Sequence, residues 1–193
     1  MALRVTTVTV APVFYYDLGD PECYLAAERV MSELPVVPEW EPVWGRQVVV
    51  GEAGRSQARV EARAAALGLQ PLRWPEPWPP DSREAMLAAT YAKRIGRAVA
   101  FSLAAFRQAF AGGRDLGDRD TVVIAGAACE MHPTALLKGI ALRSVGAQLD
   151  RAGARAHGAG VSRLPAIGVG DQVFDGEGLI EAAASALALQ AAR

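Results

Sequence analysis

The residues best placed to do chemistry stand in one short run, Asp20-Pro21-Glu22-Cys23. Their order spells the start of a helix: a polar cap at Asp20, proline at the first helical position, an acid at the second and a thiol at the third. The cap contributes about 1 kcal/mol and the acidic second position a few tenths. A thiol in the first turn feels a dipole that favours thiolate, while the carboxylates of Asp20 and Glu22 oppose it. Each residue therefore has two readings. Asp20 is a reacting group or a plain cap, and Cys23 is a nucleophile or a small buried packing residue.

Other candidates are sparser. Cys129-Glu130-Met131-His132 pairs a thiol with an imidazole. One Cys and one His fall short of a metal site, and His132-Pro133-Thr134 reads as a helix start, so no metal is expected. His157 precedes Gly158 at a helix end, where a cation suits the dipole. Trp40, Trp44, Trp74 and Trp78 lie in proline-rich stretches, either rimming an apolar groove or anchoring loops. Neither Gly19 nor Gly112-Gly113 belongs to a phosphate loop.

These residues need elements to position them. The run from Val8 to Asp17 is β-branched and aromatic and reads as a buried strand, with Pro12 tolerable at an edge or bulge. A helix follows from Cys23 to Leu34, then a second β-branched run at Gln47–Val50 and a helix over Ser56–Leu67. Strand, helix, strand, helix indicates an α/β fold. Pro71–Pro80 cannot be helical. From Asp81 to about Ala159 the pattern is almost wholly helical, with one buried stripe at Ile95, Val99, Ser102, Leu103, Phe106 and Phe110. A helix entered at His132-Pro133 buries Leu136, Leu137, Ile140, Val145 and Leu149. Ala166–Val169 and Gln172–Phe174 then form a hairpin about Gly170-Asp171, and Glu177–Ala192 closes the chain as a helix.

Composition narrows the function classes. The 193 residues carry 20 basic and 21 acidic side chains, and 51% are hydrophobic. That excludes a disordered chain, and the charge balance leaves no footprint for nucleic acid. Arginine outnumbers lysine 18 to two beside abundant alanine, the habit of a GC-rich bacterial genome. No run is long and apolar enough for a membrane helix, and the first residues lack the apolar core of a signal peptide. Two cysteines far apart in sequence make no disulfide framework. The expectation is a cytoplasmic protein with reduced thiols, binding neither nucleic acid nor membrane.

Two segments together carry a family likeness. One is Tyr15-Tyr-Asp-Leu-Gly-Asp20-Pro21-Glu22-Cys23-Tyr24-Leu25-Ala26, a strand turning into a helix; the other is Val161-Ser-Arg-Leu164-Pro165 leading into the hairpin and final helix. The chain resembles the DsbA-like branch of the thioredoxin superfamily, and within it the 2-hydroxychromene-2-carboxylate isomerase and kappa-class glutathione transferase group. The likeness implies a thioredoxin-like α/β fold from residues 1–70 and 160–193, an inserted all-helical subdomain over 81–159, and a proline-rich linker at 71–80. It implies oxidoreductase or isomerase chemistry at Cys23 and Asp20, with Leu164, Pro165, Pro21 and Glu22 facing substrate. Pro165 matches the family's cis-proline, which turns the backbone of the preceding residue toward a small-molecule or peptide ligand.

The same likeness marks departures. Dithiol oxidoreductases have cysteine where this chain has Asp20, and the isomerase group has serine there to meet the sulfur of glutathione. An aspartate cannot be oxidised to a disulfide, so dithiol–disulfide exchange within the motif is excluded; single-thiol chemistry at Cys23 stays open. The group's Asp-Arg pair after the hairpin is Gly178-Leu179 here, removing an anchor for a carboxylate. Glutathione as cofactor therefore conflicts with two positions. The alternatives are a catalytically inactive ligand- or peptide-binding module and a homodimer built through the helical block.

Overall fold

The computed structural model describes residues 11–48 and 56–192. Its sheet has four strands, β1 (Val13–Tyr16), β2 (Glu39–Pro42), β3 (Ala166–Val169) and β4 (Gln172–Asp175), in the order β2-β1-β3-β4. β1 runs parallel to β2 and antiparallel to β3, with Tyr16 beside Pro42 and Tyr15 beside Ala166. β3 and β4 form the hairpin expected about Gly170-Asp171. The helices are α1 (Pro21–Glu33), α2 (Gln57–Ala66), α3 (Arg83–Arg94), α4 (Ala98–Phe106), α5 (Arg119–Ala127), α6 (Pro133–Ile140), α7 (Arg143–Gly158) and α8 (Leu179–Ala191). Helices α3 to α7 thus fall between the two halves of the sheet in sequence.

The second strand is not where the β-branched run lies. Gln47 ends a 3₁₀ turn, Gly45–Gln47, and residues 49–50 lie outside the described residues. The strand is Glu39-Trp40-Glu41-Pro42 instead. It holds an edge of the sheet, where proline at the end costs no ladder bond. Charges are also held there by partners: Lys93 reaches Glu39 at 2.7 Å and Glu41 at 2.6 Å. Val8–Val10, expected to begin β1, also lie outside the described residues.

The helical stripe is real from α4 onward. Phe101, Ser102, Phe106 and Phe110 are buried, but Ile95 is exposed because α3 ends there and Gly96 turns the chain with φ 75°. A short π-helical stretch, Arg107–Ala111, continues α4 and keeps Phe110 inward. The helix read from His132 through Leu149 is two, α6 and α7, parted at Ala141-Leu142.

An aromatic column joins the sheet to these helices. Phe14, Tyr16 and Trp40 pack ring to ring at 5.0–5.5 Å, and Tyr16 continues to Phe106 at 5.9 Å. Tyr24 on α1 bridges Phe106 and Phe110, and Trp74 and Trp78 from the proline-rich segment close over Phe110. Each such pair adds about 0.5–1.5 kcal/mol beyond burial alone. The four tryptophans therefore share no rim: Trp40 is core, Trp74 and Trp78 anchor the linker, and only Trp44 stands near the start of α1.

Candidate functional site

Three loops meet at the carboxyl end of β1. The first is the turn from β1 into α1. Asp20 caps α1, with the Glu22 N–H donating to its Oδ1 at 2.8 Å, and Pro21 is the first helical residue. The second leaves β2 through Val43, whose N–H donates to the Tyr16 carbonyl at 2.9 Å, and reaches Trp44-Gly45-Arg46. The third is Leu164-Pro165, joined by a cis peptide bond. The register that sets Tyr15 beside Ala166 brings this turn alongside the end of β1.

Asp17 ties the first two of these loops together, a role the sequence reading missed. Its carboxylate is buried and accepts from the Gly19 N–H at 2.8 Å and from the Gly45 N–H at 2.6 Å. The Ser82 side chain, at the start of α3, stands beside the same carboxylate and favours its ionised form. Burial raises the Asp17 carboxyl above its ordinary pKa; the Gly19 and Gly45 hydrogen bonds, the Ser82 side chain and the Arg46 charge pull it back. Gly19 is needed for the approach of α3: a Cβ there would stand 2.9 Å from that of Ser82. The available signal was Asp two residues before Gly, which makes an Asx turn. Its remote partners, Gly45 and Ser82, carry no such mark.

Cys23 is wholly buried, and its Sγ accepts from the Asp17 N–H at 3.5 Å. Glu22 is buried as well and pairs with Arg63 of α2, Nη1 to Oε2 at 2.8 Å. The second helical position thus serves as a tether between α1 and α2. Removing one member of such a pair strands the other charge in a poorly solvated place. Arg63→Ala is expected to cost about 2 kcal/mol in urea unfolding, with much of that recovered in Arg63→Ala/Glu22→Gln.

The other candidates resolve as structure. The Thr134 N–H donates to His132 Nδ1 at 3.2 Å, so His132 caps α6. Cys129 is buried and donates to the Ala125 carbonyl at 3.0 Å, and burial raises its pKa. Among the described residues, no three His, Cys, Asp or Glu side chains gather as a metal site. No described helix is long and apolar enough to cross a membrane. Leu179 is buried in the core and Gly178 holds the left-handed turn before α8, so neither position supplies a guanidinium; Arg29 of α1 instead pairs with Glu181 in the first turn of α8 at 2.7 Å.

This arrangement defines a thioredoxin-like α/β fold carrying a helical insertion, as in the DsbA-like branch. No family model matches the sequence, nor does any curated protein. Solved structures do match in three dimensions. A 2-hydroxychromene-2-carboxylate isomerase superposes with TM-score 0.81 at 19% identity, over 95% of this chain and 98% of that one. A probable DsbA oxidoreductase from Streptomyces coelicolor follows with 0.74 at 19%, over 95% and 90%. The cytosolic disulfide reductase DsbM from Pseudomonas aeruginosa, solved with GSH, gives 0.70 at 16%, over 95% and 100%. At these identities the likeness is one of fold.

Proposed function

We propose that this protein is a thioredoxin-fold relative of the oxidoreductases and isomerases that does not run dithiol–disulfide exchange, and that it holds a small ligand where α1 begins beside the Leu164-Pro165 turn. The observation that carries this reading is Asp20. The position from which a thiol would attack is a carboxylate hydrogen-bonded to the Glu22 N–H at 2.8 Å. The one thiol in the motif, Cys23, is packed under the end of β1.

Conventional use of glutathione does not fit these residues. A carboxylate stands where its sulfur would be met, and charge repels charge at the helix start. The start of α8 offers Gly178 and the buried Leu179 in place of an anchoring pair. Isomerase-like catalysis without a redox step remains the enzymatic form of the reading; a non-catalytic binding module is its second form, supported by the full engagement of Glu22 and Asp17 in structural contacts.

The test is thiol chemistry on the native protein. Neither cysteine is expected to react with an aromatic disulfide reagent at neutral pH at a rate within about a hundredfold of the urea-unfolded chain. Reduction of a protein disulfide by dithiothreitol is expected to run no faster with the protein than without it. Prompt reaction of Cys23, or catalysed exchange, would overturn the proposal.

A further inference from the structure

Two arginines converge on Trp44. The guanidinium carbon of Arg46 lies 5.6 Å from the centre of the indole and that of Arg83 lies 5.4 Å from it. Arg46 belongs to the loop after β2 and Arg83 to the first position of α3, 37 residues later in the chain. Asp17 accepts from the Gly45 N–H, next to Arg46, and stands beside the Ser82 side chain, next to Arg83. Both arginines are exposed.

A loop tryptophan needs one cation over its face to be covered. A second adds like-charge repulsion, which solvent screens at these exposed side chains and the Asp17 carboxylate eases at Arg46. Apart from the Asp17 carboxylate, which feels the charge of Arg46, the carboxylates at hand are engaged elsewhere. Glu84 takes the guanidinium of Arg119 at 2.6 and 3.4 Å, and Asp81 accepts from the Arg83 N–H at 3.2 Å. Asp17 holds its backbone donors and Asp20 caps α1. Among the described residues, no carboxylate forms an ion pair with Arg46 or Arg83. The ring fixes the two planar cations in place, so little freedom is lost when they close on a ligand.

We infer that Arg46 and Arg83, held on Trp44, form a clamp for an oxyanion, carboxylate or phosphate, on the ligand bound at this corner of the fold. The inference rests on the ligand-binding reading above and supplies the chemical class of that ligand. It also places an anchor for an anion on the side of the β2 loop and α3. No covalent step is involved: the guanidiniums donate hydrogen bonds and release water.

Calorimetric titration with succinate and, separately, with inorganic phosphate at low ionic strength tests it. Saturable binding of either probe is expected, weakened about tenfold in Arg46→Gln and again in Arg83→Gln, and unchanged in Arg114→Gln on the helical block. The probe that binds distinguishes a carboxylate ligand from a phosphate. The bound probe is also expected to slow phenylglyoxal modification at Arg46 and Arg83, read by peptide mapping. No saturable binding at millimolar concentration of both probes, equal affinity in all four proteins, or loss in only one of the two clamp variants would overturn the clamp. None of these results alters the dithiol-exchange assay, so the clamp and the broader reading fail separately.

Discussion

Asp20→Cys is expected to gain a redox-active disulfide. The new thiol would stand at the cap of α1, three residues before Cys23, and residues three apart in a helical turn lie about 5–6 Å from one another, within disulfide reach. Oxidation would join the two sulfurs with loss of two protons and two electrons to an added oxidant such as oxidised glutathione. A thiol at that position would also meet the helix-start N–H groups without the carboxylate now there, which favours its ionised form. The mass of the oxidised variant should fall by two hydrogens, and catalysed reduction of a protein disulfide should rise at least about tenfold above the wild-type chain. The loss of the aspartate cap costs about 1 kcal/mol, too little to unfold a domain of this size. If the variant folds but forms no bond to Cys23, the thiol is held away from the helix start and Asp20 is not what blocks exchange.

The largest stability effect is expected at Asp17. Asp17→Ala strands two part-buried backbone donors, Gly19 and Gly45, and removes the carboxylate beside Ser82 at the start of α3. Each unsatisfied donor costs about 1–3 kcal/mol, so a total of about 3–4 kcal/mol is expected in urea unfolding. Asp17→Asn keeps one acceptor and should lose less. Its comparison with wild type also has a pH signature. Burial raises the folded-state pKa of the Asp17 carboxyl, and the acid form is thus favoured by folding. Such a group stabilises the fold fully below its unfolded pKa, and that contribution is lost as pH rises through the folded pKa. Wild type should therefore gain on Asp17→Asn as pH falls from neutrality through the raised value, then level off below the ordinary carboxylate range. An opposite slope would mean that the hydrogen bonds outweigh burial.

What was legible in the sequence was local. Asp20, Pro21 and Glu22 announce a helix start by residue type, and α1 begins there. Pro165 sits in the context that marks a cis bond, and the bond is cis. The hairpin, the closing helix and the periodic apolar residues of α4 were likewise written in short windows. The misses have a common cause in distance. Glu39–Pro42 is a strand because β1 lies beside it and Lys93 neutralises its acids; its own residues, two of them Glu and one Pro, argue against a strand. Asp17 matters through residues 28 and 65 positions away, and the Trp44 clamp joins two loops from different parts of the chain.

The seam between sheet and helices has a consequence for how the chain can be divided. The Tyr16 hydroxyl and Ser102 Oγ lie 2.6 Å apart, and the Leu18 N–H donates to the Met86 sulfur at 3.2 Å, all in the dry interior. Both bonds link the strand-to-helix turn of the candidate site to the inserted helices. A chain trimmed of residues 83–158 would leave a buried hydroxyl, an amide and an aromatic wall without partners. The sheet and the helices thus share one interior, and deleting the helical segment is expected to unfold the remainder instead of releasing it as a smaller domain.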